Sequence, residues 1–154
     1  MNLDSMNRWL TLAGNIGVLA GIIFLAFELQ QNTVATQLEA SSGFQNSFSE
    51  IELFIAGNPE FTELLLKGRN DEEISDADAL RLWVFYGNVL RQWQFTHFMY
   101  LSDALHDDIW QTNQNRLAQI IKGDRGLYEH WQSNKLQFTP AFNEMVASMT
   151  ADIR

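Results

Sequence analysis

Cysteine is absent from the 154 residues, which excludes a disulfide framework and any thiolate-held metal while leaving either redox compartment open. Proline occurs only at Pro59 and Pro140, so little stands in the way of long helices. Basic residues are scarce, ten against nineteen acids, for a formal charge of -9. A phosphate backbone or an anionic lipid surface would be repelled, and nucleic acid is not expected as a partner. There is no glycine-rich phosphate loop, no Gly-x-Ser-x-Gly turn, no internal repeat and no low-complexity tract. The three histidines, His97, His106 and His130, are never three or four residues apart, so no metal site is expected. Glu52 with Glu63 and Asp103 with Asp107 are the kind of carboxylate pairs any acidic surface supplies. The composition thus points away from an enzyme, and no cofactor is implied.

What is present is one long uncharged run. Trp9 to Phe27, WLTLAGNIGVLAGIIFLAF, has nineteen residues between Arg8 and Glu28 and reads as a membrane span. At about 1.5 Å per residue such a helix covers close to 30 Å, the hydrocarbon thickness of a bilayer. A cleaved signal peptide would show a more basic start and a small-x-small cleavage site, neither of which is here. A buried helix of a soluble protein is the other alternative. Against it stand Gly14, Gly17 and Gly21, each costing about 1 kcal/mol relative to alanine in a water-exposed helix.

Gly14, Gly17, Gly21, Phe24 and Glu28 are spaced three, four, three and four, which places them on one seam. Small residues let lipid-embedded helices approach closely, so the seam predicts self-association into a homo-oligomer. Arg8 precedes the span, and no Lys or Arg follows it before Lys67. That asymmetry puts the amino terminus in the cytoplasm and the carboxyl-terminal part outside it, periplasmic or external.

In chain order, the expected organisation is a short amino terminus and transmembrane helix over 1–29, a polar helical stalk over 30–57 and a soluble all-α domain over 58–154. The stalk ends in an apolar stripe, Phe44, Phe48, Ile51 and Ile55, that must dock on the bundle, and a break near Ser41 to Gly43 is plausible. Asn58-Pro59-Glu60, Ser75-Asp76, Asp124 and Thr139-Pro140 are helix starts. The helix opened at Pro59 is expected to close at Gly68. The next, from Asp76 to about Leu101, is apolar on nearly every face and is expected to be surrounded. An acidic turn, 102–108, leads to a helix carrying Trp110, Leu117, Ile120 and Ile121. A closing helix is expected to carry Phe142, Met145, Val146, Met149 and Ile153 in one stripe. The fold class is all-α: an N-terminal transmembrane helix extended beyond the membrane, followed by a small helical bundle.

The glycine-rich span running into Glu28-Leu29-Gln30-Gln31-Asn32-Thr33, the capped aromatic helix, the acidic turn before Trp110 and Phe138-Thr139-Pro140-Ala141-Phe142 together resemble a widespread group of short, uncharacterised bacterial single-span membrane proteins. The turn departs from that group's Gly-Leu-Leu-Asp form, having Ala104-Leu105-His106-Asp107 instead. The resemblance implies a bacterial inner, or cytoplasmic, membrane location and carries no activity with it.

Three polar or aromatic positions on the Asp76–Leu101 helix are candidates for a ligand site: Arg91, as a cation on an apolar line, with Trp93 and Tyr86. Trp83 and Tyr100 would complete an aromatic wall, with aromatic core as the simpler reading. Two function classes follow. One is a non-enzymatic, self-associating membrane protein acting as an interaction or assembly module, through itself or an unidentified protein partner. The other is a small oligomeric channel or ligand-sensing membrane protein, with Glu28 at the mouth of a pore.

Overall fold

A computed structural model describes residues 3–153; Met1 and Asn2 of the expected short amino terminus lie outside the described residues. Six α-helices account for the fold, and no strand occurs among the described residues. They are α1 (Leu3–Gly57), α2 (Pro59–Arg69), α3 (Asp76–Leu101), α4 (Asp107–Gly123), α5 (Arg125–Ser133) and α6 (Pro140–Met149), with a 3-10 turn at Lys135–Gln137. The chain divides into two compact units, Met1–Glu39 and Ala40–Arg154. The expected break near Ser41 to Gly43 does not occur. Helix α1 continues through it, since a single glycine costs only about 1 kcal/mol and no proline intervenes.

Helix starts follow local chemistry. Asn58 accepts the Phe61 N–H at 3.0 Å, Ser75 the Asp78 N–H at 3.2 Å, Asp124 the Leu127 N–H at 2.9 Å and Thr139 the Phe142 N–H at 3.4 Å. Each side chain satisfies a donor that the first helical turn leaves without a partner. Helix α4 is capped differently, by the imidazole Nδ1 of His106, which accepts the Asp108 N–H at 3.3 Å. Helix α2 runs one residue past Gly68, and Asp71 in the turn behind it takes a left-handed backbone, as Asp103 does after α3. Short polar side chains tolerate that region better than branched ones.

In the second unit the end of α1 docks as its stripe requires. Phe48 is buried, Phe44, Ile51 and Ile55 are partly so, and the rings of Phe44 and Phe48 lie 5.9 and 4.7 Å from that of Trp93 on α3. Helix α5 sits at the centre, packed on α2, α3 and α4. Its Leu127 and Trp131 join Leu90, Leu117, Ile121, Phe142 and Val146 in a core from which water is excluded. Helix α5 approaches α2 and α3 closely enough to need glycine at 126, and α2 is tight against α3 at Gly68. A Cβ on Gly126 would stand 2.9 Å from the Gly68 carbonyl oxygen and 2.8 Å from the Tyr86 hydroxyl, and one on Gly68 only 2.5 Å from a Leu82 methyl.

Helix α3 is not surrounded. Leu82, Tyr86, Val89, Leu90 and Trp93 face the core, but Leu80, Trp83, Val84, Phe95, Phe98 and Leu101 are exposed. A helix apolar on all sides gives no period from which to tell the two faces apart, so the burial expected for it was overstated.

Candidate functional site

In the first unit, Trp9 to Phe27 is helical and every residue of it is exposed. This helix is long and apolar enough to cross a membrane, and none of its most apolar window is buried. Gly14, Gly17 and Gly21 have no atom within 4 Å of the position a Cβ would take, so the seam they form with Phe24 and Glu28 is open along its length. Thr11 and Thr33 return their hydroxyl protons to carbonyls one turn back, at 2.9 and 3.0 Å, which satisfies both without water.

In the second unit, the sequence-derived trio on α3 does not converge. Trp93 is fully buried beneath Phe44 and Phe48, with its indole N–H unpartnered among the described residues. Tyr86 faces α5, where its hydroxyl donates to Asp124 Oδ1 at 3.2 Å. Burial, then the Asp124 charge beside it, pushes the Tyr86 hydroxyl up. Burial also raises the Asp124 carboxyl, against the N–H of Leu127 and the Tyr86 hydroxyl that bond it. Asp124 thus both caps α5 and anchors it to α3. Arg91 lies on the outer face and is exposed rather than buried; its guanidinium donates to Asn88 Oδ1 at 3.1 Å. The aromatic wall also separates: Trp83 stands edge-on to His130 at 5.6 Å, while Tyr100 stacks on Trp110 at 5.0 Å.

Two of the three histidines are buried. His97 stacks on Trp110 at 5.2 Å, and burial lowers its pKa. His130 is buried against α3 opposite Gly87, with Nε2 unpartnered among the described residues, and burial followed by the Arg91 charge lowers its pKa. A Cβ at Gly87 would stand 3.4 Å from both the Arg91 guanidinium and His130 Nε2, close to ordinary contact. His106 is exposed and lies 3.9 Å from Asp108. Among the described residues no group of three or more His, Asp or Glu side chains is arranged to hold a metal ion.

Two of the hollows on the surface of this unit lie beside its aromatic residues. The larger, about 570 Å³, lies between the end of α1 and α4, floored by Phe44, Phe48 and Ile109 and rimmed by Gln45, Ser49, Thr112 and Asn113. Its Thr112 and Asn113 side chains already donate to carbonyls of their own helix, at 2.9 and 2.8 Å. Glu52 pairs with Arg116 across it rather than with Glu63. The groove therefore offers shape with few free donors. The smaller, about 380 Å³, is lined by Phe54, Phe61, Leu80, Val84 and Phe85, with Arg81 held over it by Glu60 and Asp78 at 3.0 and 3.3 Å.

None of these side chains forms a nucleophile with a base, or an acid–base pair around a reachable cavity. What the molecule exposes is apolar helix surface: the glycine-bearing face of α1 in one unit and the outer face of α3 in the other. No protein-family model matches the chain, and no curated protein or solved structure does either.

Proposed function

We propose that this chain is a membrane-anchored, non-enzymatic helical protein that self-associates through Gly14, Gly17, Gly21, Phe24 and Glu28 and presents its bundle as an interaction module. In this reading the α1 segment from Trp9 to Phe27 crosses a bacterial cytoplasmic membrane once, with the amino terminus inside. The observation that carries it is exposure. Eleven large apolar side chains between Trp9 and Phe27 (Trp9, Leu10, Leu12, Ile16, Val18, Leu19, Ile22, Ile23, Phe24, Leu25 and Phe27) are exposed. Leaving each in water forgoes about 1.5–3 kcal/mol, on the order of 20 kcal/mol in all, more than the net stability of a typical domain. A bilayer removes that cost. A core helix would need burial that this segment lacks.

The test uses the full-length chain purified in detergent, its protein mass measured by light scattering corrected for bound detergent. A defined oligomer is expected, and Gly17→Ile with Gly21→Ile should reduce it to monomer. The added side chains meet nothing within one chain, so a loss of mass reports association and not misfolding. An unchanged mass would remove the self-association, and recovery of the protein in the detergent-free soluble fraction would remove the anchor.

A further inference from the structure

The outward face of α3 has the composition of an interface, and apart from Gly87, which His130 covers, its apolar side chains are left exposed. Leu80, Val84, Phe95 and Phe98 are exposed and fall within about 40° of one line down the helix at 100° per residue, with Trp83 and Leu101 along one edge. Arg91 stands on that line, between the two apolar pairs. Arg81, Arg116, Lys122 and Arg125 each reach a carboxylate, but no carboxylate among the described residues comes within ion-pairing distance of Arg91. Its hydrogen bond is to the neutral Asn88 amide, and the group packed near it from α5 is an imidazole.

We propose that this face docks an amphipathic helix of another protein that carries one carboxylate within its apolar stripe, the carboxylate meeting Arg91 while its neighbours pack on Val84, Phe95 and Phe98. Charge selects this occupant. An apolar helix without an acid would bury an unpaired guanidinium and be penalised for it, whereas a carboxylate at that point gains a charge-assisted, two-pronged hydrogen bond sheltered by aromatic neighbours. A second copy of the chain is disfavoured, because pairing this face with itself in either direction brings Arg91 close to its own counterpart. An anionic lipid surface is disfavoured by Asp76, Asp78 and Asp103, which flank the stripe at its two ends, and by the charge of -9. The inference deepens the interaction-module reading but rests on α3 alone. The detergent mass experiment tests the span separately, so either can fail without the other.

The test uses the full-length chain in nanodiscs of neutral lipid and three designed helical peptides with the same leucine stripe and Glu, Gln or Lys at its centre, followed by fluorescence anisotropy against empty discs. The Glu peptide should bind on the order of 10-fold more tightly than the Lys peptide, and Arg91→Glu should reverse that order. Phe95→Ser with Phe98→Ser should weaken all three. Both side chains are exposed, so circular dichroism should be unchanged. Equal binding of the three peptides, no binding, or an order that survives Arg91→Glu overturns the proposal. A particle mass that falls in the Phe95→Ser, Phe98→Ser variant overturns it in favour of a second copy. Binding to anionic but not neutral vesicles, lost in the same variant, overturns it in favour of a lipid surface.

Discussion

Replacing Gly126 by alanine adds one methyl group where α5 crosses α2 and α3, and the structure allows the cost to be worked out. The new Cβ would lie 2.8 Å from the Tyr86 hydroxyl, 2.9 Å from the Gly68 carbonyl oxygen and 3.0 Å from Tyr86 Cε2, all inside ordinary contact distance. The carbonyl belongs to helix backbone and cannot swing aside, so either α5 moves away from α2 or Tyr86 rotates and gives up its bond to Asp124. Overpacking of this kind costs about 1–3 kcal/mol, and a buried hydroxyl and carboxyl left apart cost about 1–2 kcal/mol more. Alanine returns up to about 1 kcal/mol through helix propensity, less in a first turn. Gly126 does not have a positive φ, so no backbone strain enters the sum. The net expectation is a loss of about 2 kcal/mol, which for a unit of this size lowers the melting midpoint by on the order of 10 °C. Urea titration of the full-length chain in mild detergent, read by near-ultraviolet circular dichroism, measures it. In a Tyr86→Phe background the same substitution should cost less, because the nearest clashing atom is gone while the Gly68 carbonyl remains. A Gly126→Ala midpoint equal to or above that of the parent would refute the reasoning, and an undiminished cost in the Tyr86→Phe background would show that the Tyr86 hydroxyl takes no part in it.

Two further perturbations have definite signs. The Trp131 indole N–H donates to Asn143 Oδ1 at 3.0 Å, and the Asn143 amide donates to the Lys135 carbonyl at 2.9 Å. Asn143→Ala should therefore cost about 2 kcal/mol by orphaning a buried donor, and Asn143→Asp less, because it keeps the acceptor; equal midpoints for all three would contradict this. His97 and His130 are held below their usual value in the fold, so below about pH 6.5 the unfolded chain binds more protons than the folded one and stability should drop on acidification. Asp124, whose carboxyl is raised, works in the opposite direction at lower pH, regaining stability as it protonates in the fold. Urea midpoints at about pH 7.5 and pH 5.5 should fall between the two, and fall less in a His97→Gln, His130→Gln variant; a midpoint that rises would reverse the assignment.

Helix starts were legible in the sequence because a cap is a local event. Asn58, Ser75, Asp124 and Thr139 each act on a backbone N–H three residues away, and no distant partner decides the outcome. His106 escaped because an imidazole is an unusual cap and nothing around it marks the role. The stripe from Phe44 to Ile55 was readable from its spacing, whereas the exposed face of α3 was not, since its apolar residues surround the helix and only the arrangement of neighbours says which remain uncovered. The same limit explains why Tyr86, Arg91 and Trp93 looked like one site. They share a helix but point to α5, to solvent and to the end of α1. Gly68 was readable only as a helix end, and Gly126 carried no signal at all, because its close approach to the Gly68 carbonyl and the Tyr86 hydroxyl is a relation between segments far apart in the sequence.

The position of α6 in the chain bears on the order of events during synthesis. Phe142 and Val146 are fully buried, and Asn143 completes the Trp131 bond, so the core around α5 cannot close until α6 has been made. Helix α1 is made before α2 to α6. The capped helices between them can nucleate as they emerge, but they have nothing to seal them. The apolar surface of α1 is therefore present on the nascent chain while the bundle is still open, and it is there before the core that follows can close.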